Sequence, residues 1–263
     1  MEAVLHNAPE LSGLLWMAAA LFGAAAGSFL NVVIWRLPRE ESLIRPGSHC
    51  PTCGAPIRWF DNVPILSWLA LGGRCRRCRG RISLRYPVVE AASGLLAVAA
   101  LLRYGISLPG FEALVFAWTS LALGLIDLEH QILPDVMTYP AIAFGLLCSH
   151  LGGLTTLADS LLGALVGAAV PALVIVLYKL VRGIEGMGWG DVKYLAAIGA
   201  VVGLRDCLWV LVVAAVLGAL VGLALIVAGR GSGRTPLPFG SFLALAVIVW
   251  LYLPAGWVPT LLR

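Results

Sequence analysis

Two kinds of side chain in this sequence have types and spacings suited to chemistry: lone carboxylates at the ends of apolar runs, and four cysteines in two close pairs. Asp127 closes one apolar run in Leu125-Ile126-Asp127-Leu128-Glu129-His130-Gln131-Ile132-Leu133-Pro134-Asp135. Asp191 opens another in Gly186-Met187-Gly188-Trp189-Gly190-Asp191-Val192-Lys193. Ionisable groups at membrane depth are costly and mark function by default. Either acid alone would read as a solvated helix cap. The pair, with glycines before one and Leu-Pro-Asp after the other, points to function. Two carboxylates sharing one proton activate water on a peptide carbonyl, which is the chemistry of an aspartic protease dyad. Gly188 and Gly190 suit such a site, because glycine admits a second backbone or a positive φ.

The cysteines read Cys50-Pro-Thr-Cys53, then 21 residues, then Cys75-Arg-Arg-Cys78. Two Cys-x-x-Cys turns at this separation have zinc-ribbon spacing, slightly wider than the usual window. Neighbouring arginines favour the thiolate form that binds metal. A loop of about 45 residues has a poor core of its own, so a bound metal would largely constitute its fold. Disulfides and free thiols are the alternatives, and a reducing cytoplasm disfavours the first. Cys148 and Cys207 lie in apolar runs and read as small buried hydrophobes.

The elements that must hold these groups are membrane helices. The 263 residues are 60% hydrophobic and 12% charged, with a mean hydropathy of +0.93. Soluble domains carry about 25% charged residues, so there is too little polar surface here to coat a soluble globule. Leu11 to Trp35, Ala113 to Ile126, Val136 to Ala158, Ser160 to Tyr178, Cys207 to Gly229 and Pro236 to Leu262 contain no Asp, Glu, Lys or Arg. Pro87 to Leu102 is interrupted only by Glu90, and Val192 to Leu204 only by Lys193. Lipid leaves backbone groups no partner except the helix's own ladder, so the expected fold is all-α. It is a polytopic protein of about eight transmembrane helices with a small Cys-rich zinc-ribbon-like loop. The Val136 run is divided from the next at Asp159, and Val192 to Leu204 is a short helix of about 20 Å. Met1 to Glu10 is acidic and lacks a basic n-region, so the first span is expected to remain in the protein.

Cations orient the chain. Ten of the eighteen Lys and Arg fall between Arg36 and Arg85. Placing that loop in the cytoplasm puts Lys179, Arg182, Lys193, Arg230 and Arg234 on the same side and leaves Arg103, Arg205 and Arg263 opposite. Both termini then face outward, and Asp127 and Asp191 lie at the cytoplasmic face. The net charge of +4 is thus a topology feature, and no nucleic acid partner is expected. The sequence divides into a first transmembrane helix over 1–36, a cytoplasmic Cys-rich module over 37–86, and a transmembrane peptidase domain over 87–263.

Asp127 with Leu133-Pro134-Asp135, Gly188-x-Gly190-Asp191-x-Lys193, and the double Cys-x-x-Cys loop resemble the prepilin leader peptidases, membrane aspartic proteases of the GxGD type. Gly27-Ser28-Phe29-Leu30-Asn31-Val32-Val33-Ile34-Trp35-Arg36-Leu37-Pro38, Ser83-Leu84-Arg85-Tyr86-Pro87-Val88-Val89-Glu90 and Pro238-Phe239-Gly240 extend the likeness over nearly the whole chain. One departure is Ser241, where the pattern has Pro. It is expected to bear on how the last span grips the pilin and to touch neither acid.

The resemblance implies two reactions at the bacterial inner membrane. A basic leader is cleaved from type IV prepilins or type II secretion pseudopilins, and the new N-terminal amine is methylated from S-adenosylmethionine. Asp127 and Asp191 are then the catalytic aspartates, and Asp135 a recurrent position outside the pair. There is no Gly-x-Gly-x-x-Gly before a helix, so no soluble Rossmann methyltransferase is expected. Gly73-Arg74, where the family usually has Gly-Lys, is the local candidate for the methyl donor. Asn31 and Glu90 either pair with each other or line the methyl-transfer pocket. The Arg-rich loop would repel a basic leader, so its charge serves topology, anionic headgroups or the donor's carboxylate. Helix dipoles would place the shared proton on Asp127, at a helix C-terminus, and leave Asp191, at an N-terminus, as the ionised base. Lys193 either reinforces that order or reaches lipid headgroups, and Glu129 and His130 read as solvated surface. Two other readings are an ion-coupled transporter with intramembrane aspartates and a zinc-bearing membrane assembly protein.

Overall fold

The computed structural model describes residues 9–183, 187–230 and 235–253. These form helices and turns, with two isolated β-bridges in the Cys-rich loop. The chain divides into two compact units, Met1–Gly105 and Ile106–Arg263.

The first unit packs α1 (Pro9–Arg36) antiparallel to α3 (Arg85–Tyr104), with the short α2 (Leu66–Ala70) in the loop between them. The two long helices approach closely because α1 presents glycines to α3. A Cβ on Gly27 would lie 2.7 Å from the Cα of Glu90, and one on Gly23 2.8 Å from that of Gly94. In lipid, where apolar side chains gain little by leaving their solvent, such small-residue contact is the usual source of helix pairing.

The second unit contains α4 (Leu108–His130), α5 (Asp135–His150), α6 (Leu157–Arg182), α7 (Trp189–Val202), α8 (Leu204–Val227) and α9 (Phe239–Tyr252). Among the described residues α1, α3, α4, α6 and α8 are long and apolar enough to cross a membrane, while α5, α7 and α9 have 14 to 16 residues. Short as it is, α7 forms the middle of the unit, with eleven of its 14 residues buried. That explains its apolarity on every side, since a helix packed all round has no polar face. Gly163 of α6 and Gly199 of α7 bring the two backbones into contact, and Ser160 Oγ donates to the Ala200 carbonyl. Gly145 of α5 reaches the Ala200 backbone from another side, where a Cβ would stand 2.9 Å from its carbonyl carbon.

The division between α5 and α6 falls at residues 151–156 rather than at Asp159, which lies in the first turn of α6. One glycine and two polar side chains make the break. Gly152 takes a φ of +88°, Thr156 Oγ1 accepts the Asp159 N–H at 3.3 Å, and Glu112 of α4, fully buried, accepts the Leu154 N–H at 2.7 Å. Asp159 in turn accepts from Thr155 Oγ1 at 3.0 Å and from the Leu204 N–H at 3.2 Å, tying the starts of α6 and α8 together. The sequence run from Val136 to Ala158 is free of charge and conceals this loop, because its anchor sits on another helix. The expected outward position of both termini concerns residues 1–8 and 254–263, which lie outside the described residues, as does the end of the Pro236 to Leu262 run.

Candidate active site

Asp127 lies one turn before the end of α4, and Asp191 lies in the first turn of α7. Both are nearly out of solvent, at 5% and 8% exposure, and they stand within electrostatic range of one another. Two packing relations bring them together. Helix α4 meets α9 where a Cβ on Gly124 would lie 2.7 Å from that of Ala244. Leu133, in the turn after α4, wedges between the two acid-bearing segments. A Cβ on Gly190 would stand 2.9 Å from its Cβ, and one on Gly240 2.9 Å from its Cδ1.

Glycine therefore serves this site through close approach and not through unusual backbone. Gly188 has an ordinary extended conformation, φ −80° and ψ 144°, and caps α7. From the third helical position Asp191 turns its carboxylate back to the Gly188 N–H, the reciprocal bond of a capping box. Gly190 makes room for Leu133.

Asp127 is held from the opposite side. Its Oδ2 accepts the Ser241 N–H at 2.7 Å and lies 3.1 Å from the Ser241 hydroxyl, which is also 2.8 Å from the Gly124 carbonyl oxygen. The expectation that the departure at Ser241 touches neither acid is thus overturned: the residue is the direct partner of one of them. The contact spans 114 positions in sequence, and no local pattern announces it. It also opposes the ordering of the two acids by helix dipoles. A dipole at a helix end contributes about 0.3–1 kcal/mol, whereas one hydrogen bond to a charged group contributes about 1.5–3 kcal/mol. Behind the dyad, the buried hydroxyls of Tyr194 and Ser120 approach each other without good hydrogen-bond geometry, and Tyr194 lies within electrostatic range of Asp127. An apolar groove of about 520 Å³ borders the same turn of α9, floored by Gly218 and Gly222 and walled by Phe239 and Phe242.

Lys193 takes neither of its expected courses. Its ammonium pairs with the carboxylate of Asp135 and lies 5.5 Å from the Tyr139 ring centre. The pair ties the first residue of α5 to α7. Glu129 and His130 are 3.9 Å apart at the partly exposed end of α4.

In the first unit the four sulfurs of Cys50, Cys53, Cys75 and Cys78 lie within 4.8 Å of one another. Two matching turns place them. The Gly54 N–H bonds to the Cys50 carbonyl at 2.8 Å and the Arg79 N–H to the Cys75 carbonyl at 3.0 Å, with Gly54 at φ +66° and Arg79 at φ +60°. Zn–S bonds of about 2.3 Å arranged tetrahedrally put sulfurs about 3.8 Å apart, which is the Cys50–Cys78 separation of 3.8 Å. Burial raises the Cys50 thiol, but the backbone N–H groups of Cys53 and Thr52 and the thiols of Cys75 and Cys53 bring it down to about 6. At Cys78 the Gly80 N–H acts to lower the thiol, yet desolvation and the three neighbouring sulfurs push it up to about 11. Cys50 thus gives up its proton more readily than Cys78. The donor set fits zinc.

Gly73 and Arg74 precede Cys75. Gly73, at φ +65°, is buried beneath Trp68, where a Cβ would lie 2.7 Å from Cζ2, while Arg74 is exposed. Asn31 and Glu90 do not hydrogen-bond to each other. Asn31 Nδ2 donates to the Gly27 and Tyr86 carbonyls, both at 3.2 Å, and Oδ1 is buried without a partner. Glu90 accepts the Ile65 N–H at 2.7 Å. That bond holds Ile65 at φ +63°, a conformation that β-branched residues rarely adopt.

Residues 21–104 match the family model of the bacterial peptidase A24 N-terminal domain, and residues 114–223 match that of the type IV leader peptidase family. A prepilin leader peptidase/N-methyltransferase of Pseudomonas putida is 40% identical over 92% of this chain and 89% of its own length. The protein of the same description from Aeromonas hydrophila is 38% identical over 99% of this chain and 95% of its own, and that from Burkholderia pseudomallei (strain 1026b) 40% identical over 89% and 84%. No solved structure matches the chain. The four cysteines fall within the first matched region and both aspartates within the second, whereas Ser241 lies beyond it.

Proposed function

The chain belongs to the type IV leader peptidase family, and from that premise we propose that Asp127 and Asp191 are the catalytic pair of a prepilin peptidase that is also an N-methyltransferase. The observation that carries this reading is their meeting. Two buried acids from different helices lie within electrostatic range of each other where α4 ends and α7 begins. With one proton between them, one carboxylate takes a proton from water as its oxygen attacks the scissile carbonyl, and the other protonates the carbonyl oxygen. Collapse of the tetrahedral adduct then returns a proton to the leaving amine. Gly188 leaves open backbone beside Asp191. The apolar groove along α8 and α9 gives the apolar part of a membrane-anchored substrate a place next to Asp127.

The prepilin or pseudopilin is the substrate, and the bacterial inner membrane is the location. From the distribution of cations we place the Cys-rich module and the dyad at the cytoplasmic face and both termini outside. Lipid surrounds the spans, and the reading includes no nucleic acid partner. The division into 1–36, 37–86 and 87–263 assigns proteolysis to the last segment.

S-adenosylmethionine supplies the methyl group. Of the two candidate positions, Arg74 is exposed and has the fork geometry for a carboxylate, while Gly73 serves the turn beneath Trp68. Zinc held by Cys50, Cys53, Cys75 and Cys78 would supply structure and not chemistry, because four protein ligands leave it no open position.

The test is cleavage of a synthetic prepilin by the full chain in detergent, with Asp127→Asn and Asp191→Asn. The wild type is expected to release the leader, and each variant to remain folded in the membrane without cleaving. Intact substrate after wild-type incubation would overturn the reading. An ion-coupled transporter or a scaffold protein would leave the substrate intact even in the wild type, and family membership disfavours both.

A further inference from the structure

Ser241 meets Asp127 with two groups of different capability. Its N–H can only donate, and at 2.7 Å it donates to Oδ2, while sharing itself with the Pro238 carbonyl at 3.2 Å. Its hydroxyl has one hydrogen and two neighbours, Oδ2 of Asp127 at 3.1 Å and the Gly124 carbonyl oxygen at 2.8 Å. A hydroxyl so placed is satisfied in two ways. When Asp127 is an anion, the hydroxyl donates to Oδ2. When Asp127 carries a proton on Oδ1, Oδ2 still accepts the Ser241 N–H and the hydroxyl hydrogen is free to turn to the Gly124 carbonyl. Both arrangements conserve atoms and protons and need only rotation about one Cβ–Oγ bond. In each of them Oδ2 stays bound to Ser241, which leaves Oδ1 to exchange the proton.

An acid in a two-carboxylate mechanism must pass through both protonation states in every turnover. We propose that Ser241 is a positioning residue for the peptidase reaction, a clamp on Oδ2 of Asp127 that holds the carboxylate in one orientation through both states. The proline of the family pattern offers neither the N–H nor the hydroxyl that Ser241 presents to Asp127. The inference rests on the peptidase reading.

The test uses the full chain in detergent and measures kcat and KM for prepilin cleavage in Ser241→Ala, Ser241→Thr and Ser241→Pro, together with methylation of a pilin supplied already cleaved. Ser241→Ala keeps the N–H and loses the rotor. Its kcat is expected to fall at least about tenfold, the low end for a hydrogen bond to a charged group, with KM unchanged. Ser241→Thr restores kcat to within about threefold of wild type, since its hydroxyl makes the same two bonds. Ser241→Pro, without either donor, falls below Ser241→Ala. Methylation stays at the wild-type rate in all three. Wild-type kcat in Ser241→Ala, a loss shared by Ser241→Thr, or a parallel loss of methylation would each overturn the clamp. A wild-type chain that leaves prepilin uncut would instead overturn the peptidase reading itself.

Discussion

Gly240 offers the most quantitative perturbation of the dyad, because what a side chain would meet there is known on two sides. In Gly240→Ala the new Cβ stands 3.1 Å from Cγ and Oδ2 of Asp127 and 2.9 Å from Cδ1 of Leu133. The Leu133 methyl lies at the far end of a flexible chain and can turn aside. The carboxylate cannot, since Oδ2 is bound at 2.7 Å to the Ser241 N–H on the next residue of the same segment. Asp127 must therefore retreat by about 0.3 Å to reach an ordinary contact distance. A displacement of about 1 Å at a catalytic group costs some hundredfold, so about 0.3 Å costs about fourfold in proportion. The expected result is a kcat lowered about fourfold, with a stability cost of about 1 kcal/mol. Prepilin cleavage followed by gel mobility reads the first, and thermal unfolding in detergent the second. Adding Leu133→Ala to Gly240→Ala removes the 2.9 Å contact and leaves the 3.1 Å contact, so activity should not return. Wild-type cleavage by Gly240→Ala, or recovery in the double variant, would refute the claim that crowding acts on the acid.

Other consequences follow from the same geometry. Gly199→Ala would drive a Cβ into the backbone of Gly163, which cannot yield as a side chain can, and should lower stability in detergent by about 3 kcal/mol. A melting temperature equal to that of the wild type would deny the close α6–α7 contact. Cys50→Ser should lose bound zinc by elemental analysis while wild type carries one ion per chain, and equal metal content in the two would remove the proposed cluster. Arg79→Gly places glycine where the second Cys turn has φ +60°. It should stabilise the loop by about 1 kcal/mol, read as a higher chelator concentration for half-release of zinc; a lower one would contradict it. Glu90→Ala frees the strained Ile65 backbone, and amide hydrogen exchange over 65–70 should quicken, whereas an unchanged rate would deny the clamp.

What was legible in the sequence follows from the solvent the chain inhabits. Among the described residues the charge-free runs are mostly helix because lipid offers the backbone nothing else, the loop at 151–156 being the exception inside a run, and the paired Cys turns formed because their short local bonds are written in adjacent residues. That Asp127 and Asp191 come within electrostatic range of one another agrees with their places at the ends of apolar runs. Contacts between distant segments were not legible. Ser241 reaches Asp127 across 114 positions, Leu133 fits under two glycines from separate stretches, and Glu112 opens the loop at 151–156 from a different helix. Lys193 was read against lipid and against the dyad, yet the nearest opposite charge in space belongs to Asp135. In each case the deciding partner lies on another helix, and apolar periodicity says nothing of which helices adjoin.

The central claim is that Asp127 and Asp191 act as one unit, and the measurement closest to it is the kcat of prepilin cleavage for Asp127→Asn, Asp191→Asn and the two combined. Residues that work as a unit are grossly non-additive, with each loss on the order of 10⁴-fold or more. Each single variant should therefore fall to that floor, and the double variant should be no slower than the slower single one. A single variant retaining a tenth of the wild-type rate, or a double variant in which two separate losses multiply, would contradict the shared site.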